Sequence, residues 1–147
     1  MIEQFTHDKE TYAIIIYNTY KTDGIKFLTP PSFSQQLGYM NRPKNYVIPP
    51  HQHNPVSREV KITNEVLFIK SGKLRVDFYN KEKKYLESRI LKKGDVILLV
   101  GGGHGFVMLE NSEIIEVKQG PYIGDSDKSR FDPIKEDKII LRELDDQ

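Results

Sequence analysis

Apolar positions along the chain fall in short runs rich in Val, Ile, Tyr and Phe: YAIIIYN, GIKFL, QQLGYM, YVI, EVLFI, LRVDFY, LESRIL, DVILLV, GFVML and EIIEVK. Turn-forming clusters separate them, among them PPSF, NRPK, IPPH, KSGK, FYNKEKK, KKGD, GGGHG, ENSE and QGPY. Short strands at such spacing predict an all-β sandwich or barrel. No stretch carries a capped stripe of period 3.6, so no long helix is expected. The tail, DPIKEDKIILRELDDQ, reads as a last strand or a short helix with a fraying acidic end. There is no internal repeat and no low-complexity tract.

Two of these runs can be set in register with their neighbours. Ser71-Gly72 predicts a two-residue turn between EVLFIK and KLRVDFY. Side chains alternate along a strand. Glu65, Leu67, Ile69, Leu74, Val76 and Phe78 then share an inward face, while Lys70, Lys73, Arg75 and Asp77 read as solvated. Asn111-Ser112 predicts a second hairpin, pairing Met108 with Ile115, Phe106 with Val117 and His104 with Gln119. Those six share the inward face, and Glu116 and Lys118 the exposed one. Glu65 and His104 each end an inward apolar row, and a carboxylate there needs a partner, because an unpaired buried charge is costly.

Bulk properties narrow the function classes. A chain of 147 residues is one ordinary domain with room for one core. Lys plus Arg, 22, nearly balances Asp plus Glu, 21, so no nucleic-acid footprint is implied. Cysteine is absent, which excludes thiol chemistry and disulfides and fits a reducing compartment. The N-terminal residues lack the layout of a secretory signal, and no apolar run is long enough to span a membrane, so the expected location is the cytoplasm.

The candidate chemistry lies in IPPHQHNPVSREVKITNEVLFIKSG. In His51-Gln52-His53 the period of two points both imidazoles to the same side of a strand, as chelation requires. With Glu65 and His104 the set becomes three imidazoles and one carboxylate, a donor set suited to Fe, Mn, Ni, Cu or Zn. Taken alone, H-x-H reads first as a pair of polar loop histidines after a Pro-Pro turn; the inward parity of Glu65 and His104 is what favours the metal. His7 reads as a surface residue.

These residues resemble the cupin family. Its first motif has the form G-x5-H-x-H-x(3,4)-E-x6-G, and this chain has His51-Gln52-His53, then Glu65, six residues and Gly72. Its second has the form G-x5-P-x-G-x2-H, and this chain has Gly94-Asp95 opening a run to His104-Gly105-Phe106. The chain departs from the pattern in three places. Residues 54–64 form an insertion between His53 and Glu65, the first glycine is missing, and Gly101-Gly102-Gly103 replaces the proline of the second motif, which is one residue short. Glu59 is the rival to Glu65; it lies nearer His53 but among Arg58 and Lys61.

The resemblance implies an all-β double-stranded β-helix, a small jelly-roll barrel with the metal near one mouth. Residues 1–147 form one domain, with N-terminal strands in 1–45, the motif region in 46–119 and a tail in 120–147. It implies one divalent transition metal held by His51, His53, Glu65 and His104. It also implies a small polar substrate such as a sugar, sugar phosphate or sugar nucleotide, with isomerase, epimerase or dioxygenase chemistry unresolved. The alternative is a non-catalytic sugar- or metal-binding module. Candidate substrate contacts around the mouth are Gln36, Tyr39, Tyr46, Arg58, Gln119, Tyr122 and Arg130. Each has a plainer role open to it, and Arg130 has Asp125 or Asp127 as ion-pair partners. The glycine run precedes a strand rather than a helix, so it reads as room for a close backbone passage, not as a phosphate loop. A homodimer is expected, because YAIIIYN and VILLV are apolar on both faces; coverage by the chain's own termini is the alternative. No nucleic-acid or membrane partner is expected.

Overall fold

The computed structural model describes residues 1–142. Ten strands carry the fold: β1 (Ile2–His7), β2 (Glu10–Ile16), β3 (Gly24–Phe27), β4 (Gly38–Asn41), β5 (Glu65–Ser71), β6 (Lys73–Tyr79), β7 (Tyr85–Lys92), β8 (Val96–Leu99), β9 (Gly103–Met108) and β10 (Glu113–Lys118). The expectation of an all-β chain holds. Of the strands expected, YVI is the exception: the whole stretch from Arg42 to Asn64 contains none. The tail forms one turn of 3-10 helix at Glu136–Lys138 and a single parallel bridge from Leu141 to Ser88. Its last five residues, 143–147, where fraying was expected, lie outside the described part. No described helix is long and apolar enough to cross a membrane.

Two antiparallel sheets face each other. One has the order β1-β2-β8-β5-β10 and the other β7-β6-β9, while β3 and β4 pair apart. Ala13, Ile15, Leu67, Ile69, Ile97 and Leu99 from the first sheet meet Leu74, Val76, Phe78 and Leu91 from the second in one core. Each of these side chains larger than Ala13, fully buried, contributes roughly 1.5–3 kcal/mol. Phe5 stacks on Phe78 with ring centroids 4.3 Å apart and closes the core at the β1 end. Ile14 and Leu98, on the opposite face of β2 and β8, are also buried within the single chain.

Neither expected hairpin forms. β5 pairs with β8 and β10, and β6 with β7 and β9, so Ser71-Gly72 carries the chain from one sheet across to the other. Asn111-Ser112 lies in a second crossing, from β9 to β10. The two crossings are tied together. Lys73 donates its backbone N–H to Ser112 Oγ at 3.1 Å, and its carbonyl accepts from the Leu109 N–H at 2.9 Å. Gly72 sits at φ +81° directly against Asn111 and Ser112, a place with no room for a Cβ. Crossing changes what parity means. The inward rows of β5 and β6 meet face to face rather than side by side, and both still enter the core. On β10 the assumed register fails. A bulge between Glu113 and Ile114 turns Ile114 to the core and leaves Ile115 and Val117 exposed, because a one-residue slip swaps every side chain to the other face.

Arg75 and Asp77, expected in water, are buried. The tail lies over their face of the second sheet. Arg75 donates to Asp77 at 2.7 and 3.1 Å and forks onto Glu136 at 2.7 and 2.8 Å. Tyr79 Oη accepts the Ile134 N–H at 3.0 Å, and Phe131 packs edge-on against the Tyr79 ring. The Arg75 fork holds the Glu136 carboxyl below its ordinary range. A depressed carboxylate adds stability that is present above the unfolded value and is lost as pH falls through the folded one. Protection of the amides at Lys138–Ile140, measured against their intrinsic exchange rates at each pH, is therefore expected to fall as pH drops through the lower carboxylate range. In Glu136→Gln it should already be low at neutral pH, with that acid step gone.

The glycine run has a packing role. Gly102, at φ +66°, passes against the Tyr12 ring and the Tyr79 carbonyl with no space for a Cβ. Gly102→Ala is expected to lower stability by more than about 1 kcal/mol, read as a shift of the urea midpoint.

Candidate metal and ligand site

Glu65 opens β5 in the first sheet and His104 lies near the start of β9 in the second. Each strand delivers its side chain to the same end of the core. His104 Nε2 lies 3.1 Å from Glu65 Oε2, so the pair bridges the two sheets. The imidazole N–H donates to the carboxylate, and its ring rests against Phe106. Burial alone would raise the Glu65 carboxyl. The His104 hydrogen bond outweighs it and brings the group below its ordinary range, with Lys118 and Lys128 adding to the effect. Lys118 stands opposite Glu65 in the β5–β10 register.

His51 and His53 are placed elsewhere. Their rings are neighbours, with centroids 5.3 Å apart, but both are exposed in the stretch before Asn64 that carries no strand. His51 Nδ1 lies 3.0 Å from the Pro49 carbonyl. Among the described residues no three His, Asp, Glu or Cys side chains gather as a metal site. The four-ligand set is therefore present as two halves, Glu65 with His104 and His51 with His53. The rival, Glu59, faces solvent beside Lys61 at 3.5 Å.

A cleft of ≈ 320 Å³ is lined in part by Lys118, the register partner of Glu65; Glu65 and His104 themselves do not line it. Val60–Thr63 form one wall, and Lys118–Asp125, Asp127 and Lys128 form the rest. Gln119 anchors it: its backbone N–H donates to the Asn64 carbonyl at 3.0 Å, and its side-chain Oε1 is buried without a partner. Thr63 donates to Asp127 at 2.7 Å across the cleft. Tyr122 lines it and is almost wholly exposed.

The other candidate contacts lie away from the cleft lining. Gln36 holds its own turn, with contacts to Thr29 and to the carbonyls of Pro30 and Phe33. Tyr39 packs edge-on against Tyr20. Tyr46 is covered by the Arg42 guanidinium. Arg58 is exposed, and Arg130 bonds to Asp125 at 3.1 Å. Lys118, Lys128 and Thr63 were not legible as site residues. Their placement depends on β10 pairing with β5 rather than with β9, which the turn-based register did not supply. Searches against protein-family models, curated proteins and solved structures returned no match to this chain.

Proposed function

We propose that this chain is a cupin-like metal-binding protein whose site handles a small anionic, oxygen-rich ligand such as a sugar phosphate or sugar nucleotide. The fold part of the reading, a double-stranded β-helix, is supported by the way consecutive strands from β5 to β10 divide between two facing antiparallel sheets. The observation that carries the functional part is the contact between Glu65 and His104, a carboxylate and an imidazole brought together from opposite sheets at 3.1 Å. An N/O pair of this kind fits a divalent transition metal. His51 and His53 are the remaining donors. The metal, when bound, would supply Lewis-acid polarisation of a ligand oxygen. The chain's own groups supply recognition. Lys118 and Lys128 would meet a phosphate in the cleft, whose lining also carries Asp125 and Asp127, and Lys118 would do so from its exposed pair with Glu116.

The test is dialysis of metal-free protein against Fe(II), Mn(II), Ni(II), Cu(II) and Zn(II) in turn, followed by addition of sugar phosphates and sugar nucleotides under NMR observation. One tightly held ion per chain, and ligand signals perturbed only in its presence, are the expected results. Protein that retains none of the five ions sinks the reading.

A further inference from the structure

The arm between β4 and β5 is the least accounted-for part of the molecule. Every residue from 43 to 62 is exposed, and none is in a strand. Yet it carries Tyr46, Val47, Ile48, Val56, Val60 and Ile62, all exposed. Pro49 and Pro50 keep its middle extended, since each fixes φ and neither donates a hydrogen bond. Its root is fastened: the Asn64 carbonyl accepts from Gln119, and Thr63 donates to Asp127. So tied, the arm leaves His51 and His53 outside their own chain's Glu65–His104 site.

The body offers the complementary feature. β9, which carries His104, pairs with β6 on one edge and with no described strand on the other. An unpaired edge is a row of free N–H and C=O groups that an extended segment can join. Met108, at its end, and Leu109, just after it, are exposed apolar side chains. An edge open at His104 and an extended arm carrying two same-facing histidines match in kind, and one copy does not bring them together.

We infer that two copies exchange arms, the stretch around His51 and His53 of each lying along the β9 edge of the other. Each metal site is then completed by the partner: Glu65 and His104 come from one chain, His51 and His53 from the second. Reciprocal exchange gives a closed two-fold dimer. The inference rests on the metal reading above and adds who supplies the ligands.

Two experiments separate it from that reading. In the first, His51→Ala/His53→Ala and Glu65→Gln/His104→Ala chains, each with its own tag, are co-expressed and isolated through both tags, and Zn(II) content is measured. Neither variant alone should hold Zn(II), and the mixed dimer should hold one ion per two chains, half the wild-type content. A mixed dimer without metal, beside a wild type that binds one ion per chain, overturns the exchange and leaves the metal reading standing. A wild type that binds none overturns both. The second experiment needs no metal. The chain has no cysteine, so Gln52→Cys/Val107→Cys can be oxidised and run without reductant. A covalent dimer is expected, and a link confined to one chain, or no link, overturns the inference.

Discussion

Asp77→Ala is expected to destabilise the protein by about 3–5 kcal/mol, the cost of breaking a buried ion pair from one side. Asp77 is 2% exposed and serves three donors: Arg75 Nε at 2.7 Å, Arg75 Nη2 at 3.1 Å and Ser88 Oγ at 2.5 Å. Arg75 is itself buried. Without Asp77 its remaining anion is Glu136, which reaches in from the solvent side of the tail. The guanidinium would keep the Glu136 fork but lose its buried counter-ion and the acceptor for Nε, and the Ser88 hydroxyl would keep only Tyr85. Asp77→Asn, which retains an oxygen for Ser88 but removes the charge, should fall between wild type and alanine. The readout is the urea midpoint at unchanged slope. A loss below about 1 kcal/mol for alanine, the size of a surface change, would mean that the tail does not seal this cluster from water.

Glu65→Gln is expected to weaken metal binding by more than about 100-fold, since even groups one step removed from a metal commonly cost 10–100-fold. The substitution keeps the shape and an oxygen that can still accept from His104, so folding should change little while the anionic donor is lost. Glu59→Gln is the control, because Glu59 pairs with Lys61 in solvent, and its affinity should equal wild type. A chromogenic chelator competed against each variant reads the difference. Equal losses in the two variants would return Glu59 to contention as the ligand.

The parts of the fold legible in the sequence were those governed by local alternation. Glu65, Leu67 and Ile69 on β5, and Leu74, Val76 and Phe78 on β6, enter the core as their period-two pattern predicted. The contact between Glu65 and His104, residues 39 apart in sequence, follows from both ending inward rows. What stayed illegible depended on which strand lies beside which. A Ser-Gly or Asn-Ser pair reads as a hairpin turn, but the same residues serve a crossing between sheets here: both sides of β5 and β6 are taken by other strands, and β9 and β10 lie at the edges of different sheets. The register of β10 went wrong with that choice, and Lys118 was misplaced with it. Arg75 and Asp77 looked solvated because their cover, Glu136, lies far along the chain, and its ion pair leaves no periodic trace. His51 and His53 were joined to the site by motif spacing, and no local rule states which chain's site they serve.

The most direct test of the proposed centre is the X-ray absorption spectrum of the metal-loaded protein at the metal edge, which counts imidazole donors. Three imidazoles and a carboxylate oxygen at about 2.0–2.2 Å are predicted, with no metal retained when His51 and His53 are both replaced by alanine. A wild-type spectrum with one imidazole or none would contradict a site made from His51, His53, Glu65 and His104.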